Sequence, residues 1–273
     1  MSDGFLVNNL RAVRGRAYPR VIGAFREPSW AFFEVVLPIF TIAAYACIYR
    51  FMEADNVFIG YVVLGGTMSA FWLNILWSMA SQLYWEKEIG NLSLYLIAPI
   101  SRMSVLAGMA VGGLLSTTVN AVSTLTIGVL VFSVAFTVLD PLMLVVVFVV
   151  TMVALYGMGM MFASLYLLFG REAYHMSNLM TEPVYLVSGF FFPVRRLGFW
   201  TAAGASIIPI TLGLDAMRQL IFEGAASDAF LSVGTELAIL LVLCVVFLIA
   251  AKYCLAYMEH LGKTTGRLTL RWQ

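Results

Sequence analysis

Charged residues are scarce in this chain: Asp, Glu, Lys and Arg make up only 11% of its 273 positions. Ordinary soluble domains carry about 25% charged residues, whereas 62% of this chain is hydrophobic and its mean hydropathy is +0.92. The formal net charge is only +1, which excludes a strong electrostatic case for nucleic-acid binding. We therefore predict an all-α polytopic membrane protein with no nucleic-acid partner.

Cysteine and histidine are also rare. Cys47, Cys244 and Cys254 lie in or beside apolar runs, and their spacing matches no metal or redox motif, which favours structural thiols. His175 and His260 are isolated, which favours structural or solvated roles over catalysis. We predict no catalytic residue and no metal or cofactor bound by this chain.

Two familiar motifs are missing. Gly262-Lys263-Thr264 resembles the end of a phosphate-binding loop, but Tyr257 stands where the leading glycine belongs and no strand precedes it. The first 28 residues hold no apolar run of the kind found in a cleaved secretory signal, so we expect this N-terminal region to stay on the chain. The chain therefore has no evident nucleotide site of its own.

Residues 1–28 combine arginines with apolar residues at roughly helical spacing. The arginines are Arg11, Arg14, Arg16, Arg20 and Arg26, among Leu6, Val7, Leu10, Val13, Val21, Ile22 and Phe25. The pattern predicts a basic amphipathic helix at the cytoplasmic membrane interface, broken near Pro19. Two interpretations stay open: a plain anchor on anionic lipid, or a helix that also contacts a partner.

Six apolar stretches are long enough to cross a hydrocarbon layer, which takes about 20 helical residues. We place them at about 30–50, 58–83, 104–136, 142–168, 174–194 and 235–257. The third is too long for one straight span, so it continues past the bilayer or tilts.

The distribution of Lys and Arg predicts the orientation. With the N-terminus inside, the inner segments hold twelve: Arg11, Arg14, Arg16, Arg20, Arg26, Lys87, Arg102, Arg171, Lys252, Lys263, Arg267 and Arg271. The outer segments hold four: Arg50, Arg195, Arg196 and Arg218. We therefore expect a multi-pass protein of the inner or plasma membrane with both termini cytoplasmic.

Polar residues inside the spans have two interpretations. The third span carries Gly108-x-x-x-Gly112 followed by a face of Ser116, Thr117, Asn120, Ser123 and Thr124, which favours close helix packing over a translocation surface. Asn120 and Thr124 remain candidates for the translocation path. Glu182 directly precedes Pro183 and is the best intramembrane functional candidate, although a structural or cavity-lining role is favoured.

Residues 195–234 predict a hairpin on the outer side. The apolar run from Leu197 to Ile208 is too short to span and is broken by Gly204 and Pro209, so we expect it to dip into the outer leaflet and return. A second helix would follow, with Asp215 and Arg218 spaced to pair on one face.

Residues 84–103 form the longest charge-bearing interruption in the first two-thirds of the chain. Charges at Glu86, Lys87 and Glu88 precede Gly90, and Arg102 closes the segment. We expect a short helix on the cytoplasmic membrane surface, where Gly90 permits a sharp turn and Pro99 stops the helix.

Three local motifs, in this order and spacing, resemble the ABC-2 family of transporter permeases. They are Glu86-Lys87-Glu88-Ile89-Gly90-Asn91-Leu92 with Ala98-Pro99-Ile100-Ser101-Arg102, then Ser188-Gly189-Phe190-Phe191-Phe192-Pro193, then Pro209-Ile210-Thr211 with Leu214-Asp215-Ala216-Met217-Arg218. The sequence departs mildly from the family pattern at Asn91, where a small hydroxyl residue is commoner, and at Ile210, where Leu is.

The resemblance implies a single transmembrane domain over residues 1–273 that works with two separate ATPase subunits, which would bind ATP and Mg. A second permease, identical or related, would complete the transporter. Residues 84–103 would be the coupling element, with contacts from Glu86, Lys87, Glu88, Gly90, Asn91, Leu92, Pro99 and Arg102. Export of a hydrophobic or amphipathic substrate, such as a drug, a lipid or a lipid-linked glycan or polysaccharide, is the implied activity. The outer hairpin would include Pro193, Pro209, Asp215 and Arg218.

Two other classes of membrane protein stay open. An ion- or proton-coupled secondary transporter would show internal repeats and paired charges at mid-membrane depth, and the sequence has no such repeat and only Glu182 well placed. A non-transporting membrane scaffold for an enzyme complex is the other.

Overall fold

The fold is known from a computed structural model that describes residues 2–266, apart from the side chains of residues 2–4, 28, 30, 96, 170–174 and 176. Arg267 and Arg271 of the orientation count lie outside the described residues, as does the side chain of Arg171. Within the described range the chain forms helices and turns and no strand. The α-helices are α1 (Ser2–Arg26), α2 (Pro28–Phe51), α3 (Asn56–Leu73), α4 (Gln82–Ile89), α5 (Leu92–Ile97), α6 (Arg102–Phe132), α7 (Pro141–Tyr166), α8 (Gly170–Val187), α9 (Phe199–Ala205), α10 (Pro209–Ile221) and α11 (Val233–Thr264).

Helix starts follow from local chemistry. Pro28, Pro141 and Pro209 occupy first-turn positions of α2, α7 and α10, where a missing N–H costs nothing. Asp140 caps α7 by accepting the N–H of Met143 at 3.0 Å. A π-helix, Asn74–Met79, interrupts the long helical rod between α3 and α4.

Among residues 2–266, five helical stretches are long and apolar enough to cross a membrane: Ala31–Phe51, Asn56–Ile89, Arg102–Phe132, Pro141–Tyr166 and Val233–Thr264. They match five of the six predicted spans. The predicted span at 174–194 corresponds instead to α8, which ends at Val187 and is not among them. The α9–α10 pair, bent by 111°, would add a sixth if it crossed as one unit.

The third predicted span is long, as expected, but it ends at Phe132 rather than near 136. Its 31 residues extend about 46 Å at 1.5 Å per residue, more than the roughly 30 Å of hydrocarbon. The chain beyond it is extended and is fixed to α10 by bonds from Thr137 N–H to Ile221 O (3.1 Å) and from Leu139 N–H to Leu220 O (2.9 Å).

The predicted break near Pro19 is wrong, because α1 is continuous from Ser2 to Arg26 with Pro19 inside it. Proline removes one intrahelical hydrogen bond, and the packing of α1 along α6 compensates for that loss. α3 is the central helix, packed between α2, α6 and α10, while α7 packs along α11.

Candidate functional site

Residues 82–97 form two short helices, α4 and α5, joined at a sharp turn, and we call this unit the helical elbow. Gly90 ends α4 with a φ of 90°, a left-handed conformation that glycine adopts at no steric cost. α5 ends at Ile97, Ala98 is extended ahead of Pro99, and α6 begins at Arg102. The turn at Gly90 and the stop before Pro99 agree with the sequence prediction.

The Glu86 carboxylate holds the elbow together from inside. Glu86 is only 3% exposed, and it forms an ion pair with Arg16 of α1. It also accepts hydrogen bonds from Gln82 Nε2 at 3.2 Å, Asn91 Nδ2 at 3.0 Å and the Tyr95 hydroxyl at 3.1 Å. One carboxylate therefore connects α1, α4 and α5, and it fixes the angle of the elbow.

Tyr95 belongs to the same polar cluster. Burial raises the pKa of the Tyr95 hydroxyl, the nearby Arg16 guanidinium lowers it, and the Glu86 carboxylate raises it again. The Arg16 guanidinium also lies 5.9 Å from the centre of the Tyr95 ring. The hydroxyl therefore stays protonated at physiological pH and remains a donor to Glu86.

The outward face of the elbow is apolar. Trp85 and Ile89 are exposed one turn apart on α4, and Leu94 and Ile97 are exposed one turn apart on α5. Ile97 is 81% exposed. The charged residues Lys87 and Glu88 are half-buried and Leu92 is buried, so apolar side chains dominate the surface that a partner would meet.

The start of α6 is tied to both ends of the chain. The Ser101 N–H donates to Asn9 Oδ1 of α1 at 2.7 Å. Arg102 forms an ion pair with Glu259 near the end of α11. Two of the predicted coupling residues, Glu86 and Arg102, therefore form ion pairs within this chain.

The Gly108-x-x-x-Gly112 motif is a packing site for α1. A Cβ at Gly108 would lie 2.7 Å from the Val13 carbonyl oxygen, and one at Gly112 would lie 3.0 Å from the Ala17 carbonyl oxygen. The small residues of α6 thus allow the α1 backbone to approach closely. Of the five N-terminal arginines, Arg11, Arg14 and Arg26 are exposed, whereas Arg16 and Arg20 reach into the protein.

Arg20 enters a polar cluster at the π-helix that was not predicted from the sequence. It donates to Ser78 Oγ and to Gln82 Oε1, the latter at 2.6 Å. The Tyr156 hydroxyl donates to Asn74 Oδ1 at 3.1 Å, and burial lowers the pKa of Arg20. Asn74, Ser78 and Gln82 recur every four residues in an apolar run, a signal that identifies one polar helix face. Single π-turns are frequent at functional sites.

The three candidates for a translocation path lie in different surroundings. Asn120 is buried and donates to Glu34 of α2, and Thr124 is fully buried inside the chain. These contacts favour the packing interpretation of the third span. Glu182, by contrast, is exposed on α8, one residue before Pro183.

On the opposite side of the molecule, Arg218 of α10 connects three segments. Its guanidinium donates to the Phe190 carbonyl at 2.8 Å, the Phe192 carbonyl at 3.1 Å and, more weakly, the Tyr61 carbonyl at 3.4 Å. It also stacks 4.9 Å from the Tyr61 ring centre. Buried Pro193 follows this carbonyl pair and precedes a short 3₁₀ turn.

The predicted pairing of Asp215 with Arg218 is wrong, because no ion pair joins them among the described residues. Both are buried, but each reaches a tertiary partner in preference to its neighbour on the helix. Asp215 Oδ2 accepts the Phe230 N–H at 2.7 Å, while Arg218 takes the carbonyls after α8.

Residues 20–222 match the family model of the ABC-2 type transporter, which covers about three-quarters of the chain and includes all three motifs. A comparison with curated proteins finds no significant match.

Proposed function

The chain belongs to the ABC-2 type transporter family and is a permease component of an ABC transporter, and we propose that it forms an ATP-driven exporter with two separate ATPase subunits. The observation that carries this proposal is the apolar outer face of the helical elbow. Solvent-exposed apolar side chains grouped on one surface are typical of a protein contact.

The construction of the elbow supports a role in coupling. Glu86 anchors it to α1 and Arg102 anchors the adjoining helix start to α11. An ATPase that pushed on Ile97 or Trp85 would therefore move the elbow together with the helices to which it is anchored. A flexible loop in the same place would absorb the displacement.

Transmission toward the membrane would pass through the π-helix. Arg20 of α1 holds Ser78 and Gln82 on one side of it, and Tyr156 of α7 holds Asn74 on the other. A π-turn departs from regular α-helical hydrogen bonding, so it offers a place where α3 and α4 can change their relative rotation.

With α8 as the sixth span, the twelve-to-four distribution of Lys and Arg supports a cytoplasmic position for the elbow and both termini. The sharply bent α9–α10 pair would then be the outer re-entrant hairpin, with Phe199 and Trp200 exposed at the start of α9. Trp and Phe at such a position suit the lipid interface.

A second permease would complete the transporter. The exposure of Glu182 on α8 supports this, since a carboxylate at membrane depth is costly in hydrocarbon and usually meets protein or water instead. We assign the outward-moving cargo to hydrophobic or amphipathic molecules, because the chain has so few charged side chains to offer a polar one.

The test is purification of the tagged chain from its native membrane in mild detergent, followed by assay of ATP hydrolysis and transport. Ile97→Asp should remove the hydrolysis activity from the purified material, because it places a charge in the apolar face. Thr264→Asp is the control: Thr264 is exposed near the end of α11, outside the elbow, and its variant, which adds the same charge, should retain the activity.

A purified wild-type complex without ATP hydrolysis, or full transport without nucleotide, would contradict the proposal. Transport without nucleotide would favour the secondary transporter. The absence of both ATP hydrolysis and transport would favour the scaffold.

A further inference from the structure

Two acidic side chains meet in the buried joint between α10 and α11. Asp215 is 3% exposed and Glu236, in the first turn of α11, is 0% exposed. Gln219, one turn after Asp215 on α10, donates to Glu236 Oε2 at 3.1 Å, so both acidic side chains border the same joint. Asp215 Oδ2 accepts from Phe230 N–H at 2.7 Å, whereas buried Glu236 Oε1 has no donor among the described residues.

The charged and titratable groups around this acidic pair do not neutralise it. Arg218 is the cation closest along α10, but its guanidinium donates to backbone carbonyls and stacks on Tyr61 of α3. Asp228, on the loop before α11, pairs with Arg196 at 2.7 Å. Within residues 2–266, neither Asp215 nor Glu236 takes part in an ion pair.

Two carboxylates in one buried joint repel each other strongly, because water is excluded there. The start of α11 presents unpaired backbone N–H groups, and together with nearby Arg218 it favours one negative charge at this joint. The helix start and Arg218 together do not offset a second negative charge in the same joint. One proton between the two carboxyl groups removes the repulsion and supplies the donor that Glu236 Oε1 lacks.

We propose that Asp215 and Glu236 form a proton-binding site in which one carboxylic acid donates to one carboxylate. The shared proton joins α10 and the loop at Phe230 to the first turn of α11. The folded chain then holds one more proton than the unfolded chain at neutral pH, so its stability falls as the pH rises and that proton is lost. This proposal does not depend on the ATPase partner or on the direction of transport.

Glu236→Gln is the main test variant, because its amide NH₂ replaces the shared proton as a donor to Asp215. The full chain in detergent is unfolded thermally from neutral to alkaline pH. The wild-type midpoint should fall as the pH rises, and the fall should be much smaller in Glu236→Gln. Glu259→Gln is the matched control, since it removes a carboxylate that pairs with Arg102 and should leave this dependence in place.

Infrared spectroscopy gives the direct readout. Wild-type chain at neutral pH should show the carbonyl stretch of a protonated carboxyl group, shifted in D₂O and lost in both Glu236→Gln and Asp215→Asn. A band that survives in both variants overturns the proposal.

A bound cation is the rival occupant. Stability that rises with sodium or calcium at constant ionic strength, without a protonated carboxyl band, would overturn the shared proton. If both variants fail to fold, the wild-type spectrum decides: a deuterium-sensitive carboxyl band that disappears together with the fold at alkaline pH supports the site, and no such band at neutral pH overturns it.

Discussion

The backbone carbonyl of Phe190 packs directly on Gly65, so that a Cβ at position 65 would overlap its oxygen. The same oxygen accepts a hydrogen bond from Arg218. The turn after α8 is therefore pressed against the central helix α3 and held there by a side chain of α10. This contact joins two of the three motifs on which the family resemblance rests.

Gly65→Ala should destabilise the chain, because the obstructing atom is backbone and has no rotamer to change. We expect a loss of about 1–3 kcal/mol, as for overpacked cores, measured as the free energy of unfolding in detergent. Gly204→Ala is the control, and it should change the free energy of unfolding in the opposite direction. Nothing lies within 4 Å of its Cβ position in α9, so alanine there should stabilise the helix by about 0.5–1 kcal/mol. Equal effects at the two glycines would contradict the packing.

Arg218→Lys should weaken the contact between α10 and the turn after α8. A lysine offers a single ammonium in place of the guanidinium fork, so the carbonyls of Phe190 and Phe192 cannot both be satisfied, and we expect a loss of about 1.5–3 kcal/mol. Arg195→Lys is matched to it, because Arg195 also donates to two backbone carbonyls but is exposed. That change should cost less than about 0.5 kcal/mol. Similar losses in the two variants would show that burial of Arg218 is not the cause.

The sequence predicts the spans well where apolar runs are long. The predicted span at 142–168 corresponds to α7, Pro141–Tyr166, because length and hydropathy alone decide such a helix. Less apolar stretches are predicted worse: α8 carries charged and polar residues and ends at Val187, well before the predicted 194. Pro19 indicated a break, but packing of α1 on α6 outweighs one missing hydrogen bond.

Tertiary contacts explain most of what the sequence leaves open at the site. Spacing on α10 brings Asp215 and Arg218 to one face, yet each finds a partner from another segment. From the sequence alone, Glu86 resembles a surface charge in a charged loop. It is buried because it pairs with Arg16, which lies 70 residues earlier in the chain. The turn at Gly90 could be predicted because it depends on one residue alone.

Glu86→Gln should loosen the elbow from α1 while leaving the chain inserted. The variant keeps the size and an acceptor oxygen but loses the charge that faces Arg16, and we expect a loss of about 1.5–3 kcal/mol of unfolding free energy. Glu88→Gln removes a half-buried charge with no ion pair among the described residues and should change stability by less than about 0.5 kcal/mol. In the complex with its ATPase subunits, Glu86→Gln should lower the ratio of transport to ATP hydrolysis, because an elbow free of α1 no longer passes on the displacement. An unchanged ratio in a measurably destabilised Glu86→Gln chain would show that coupling does not pass through this carboxylate.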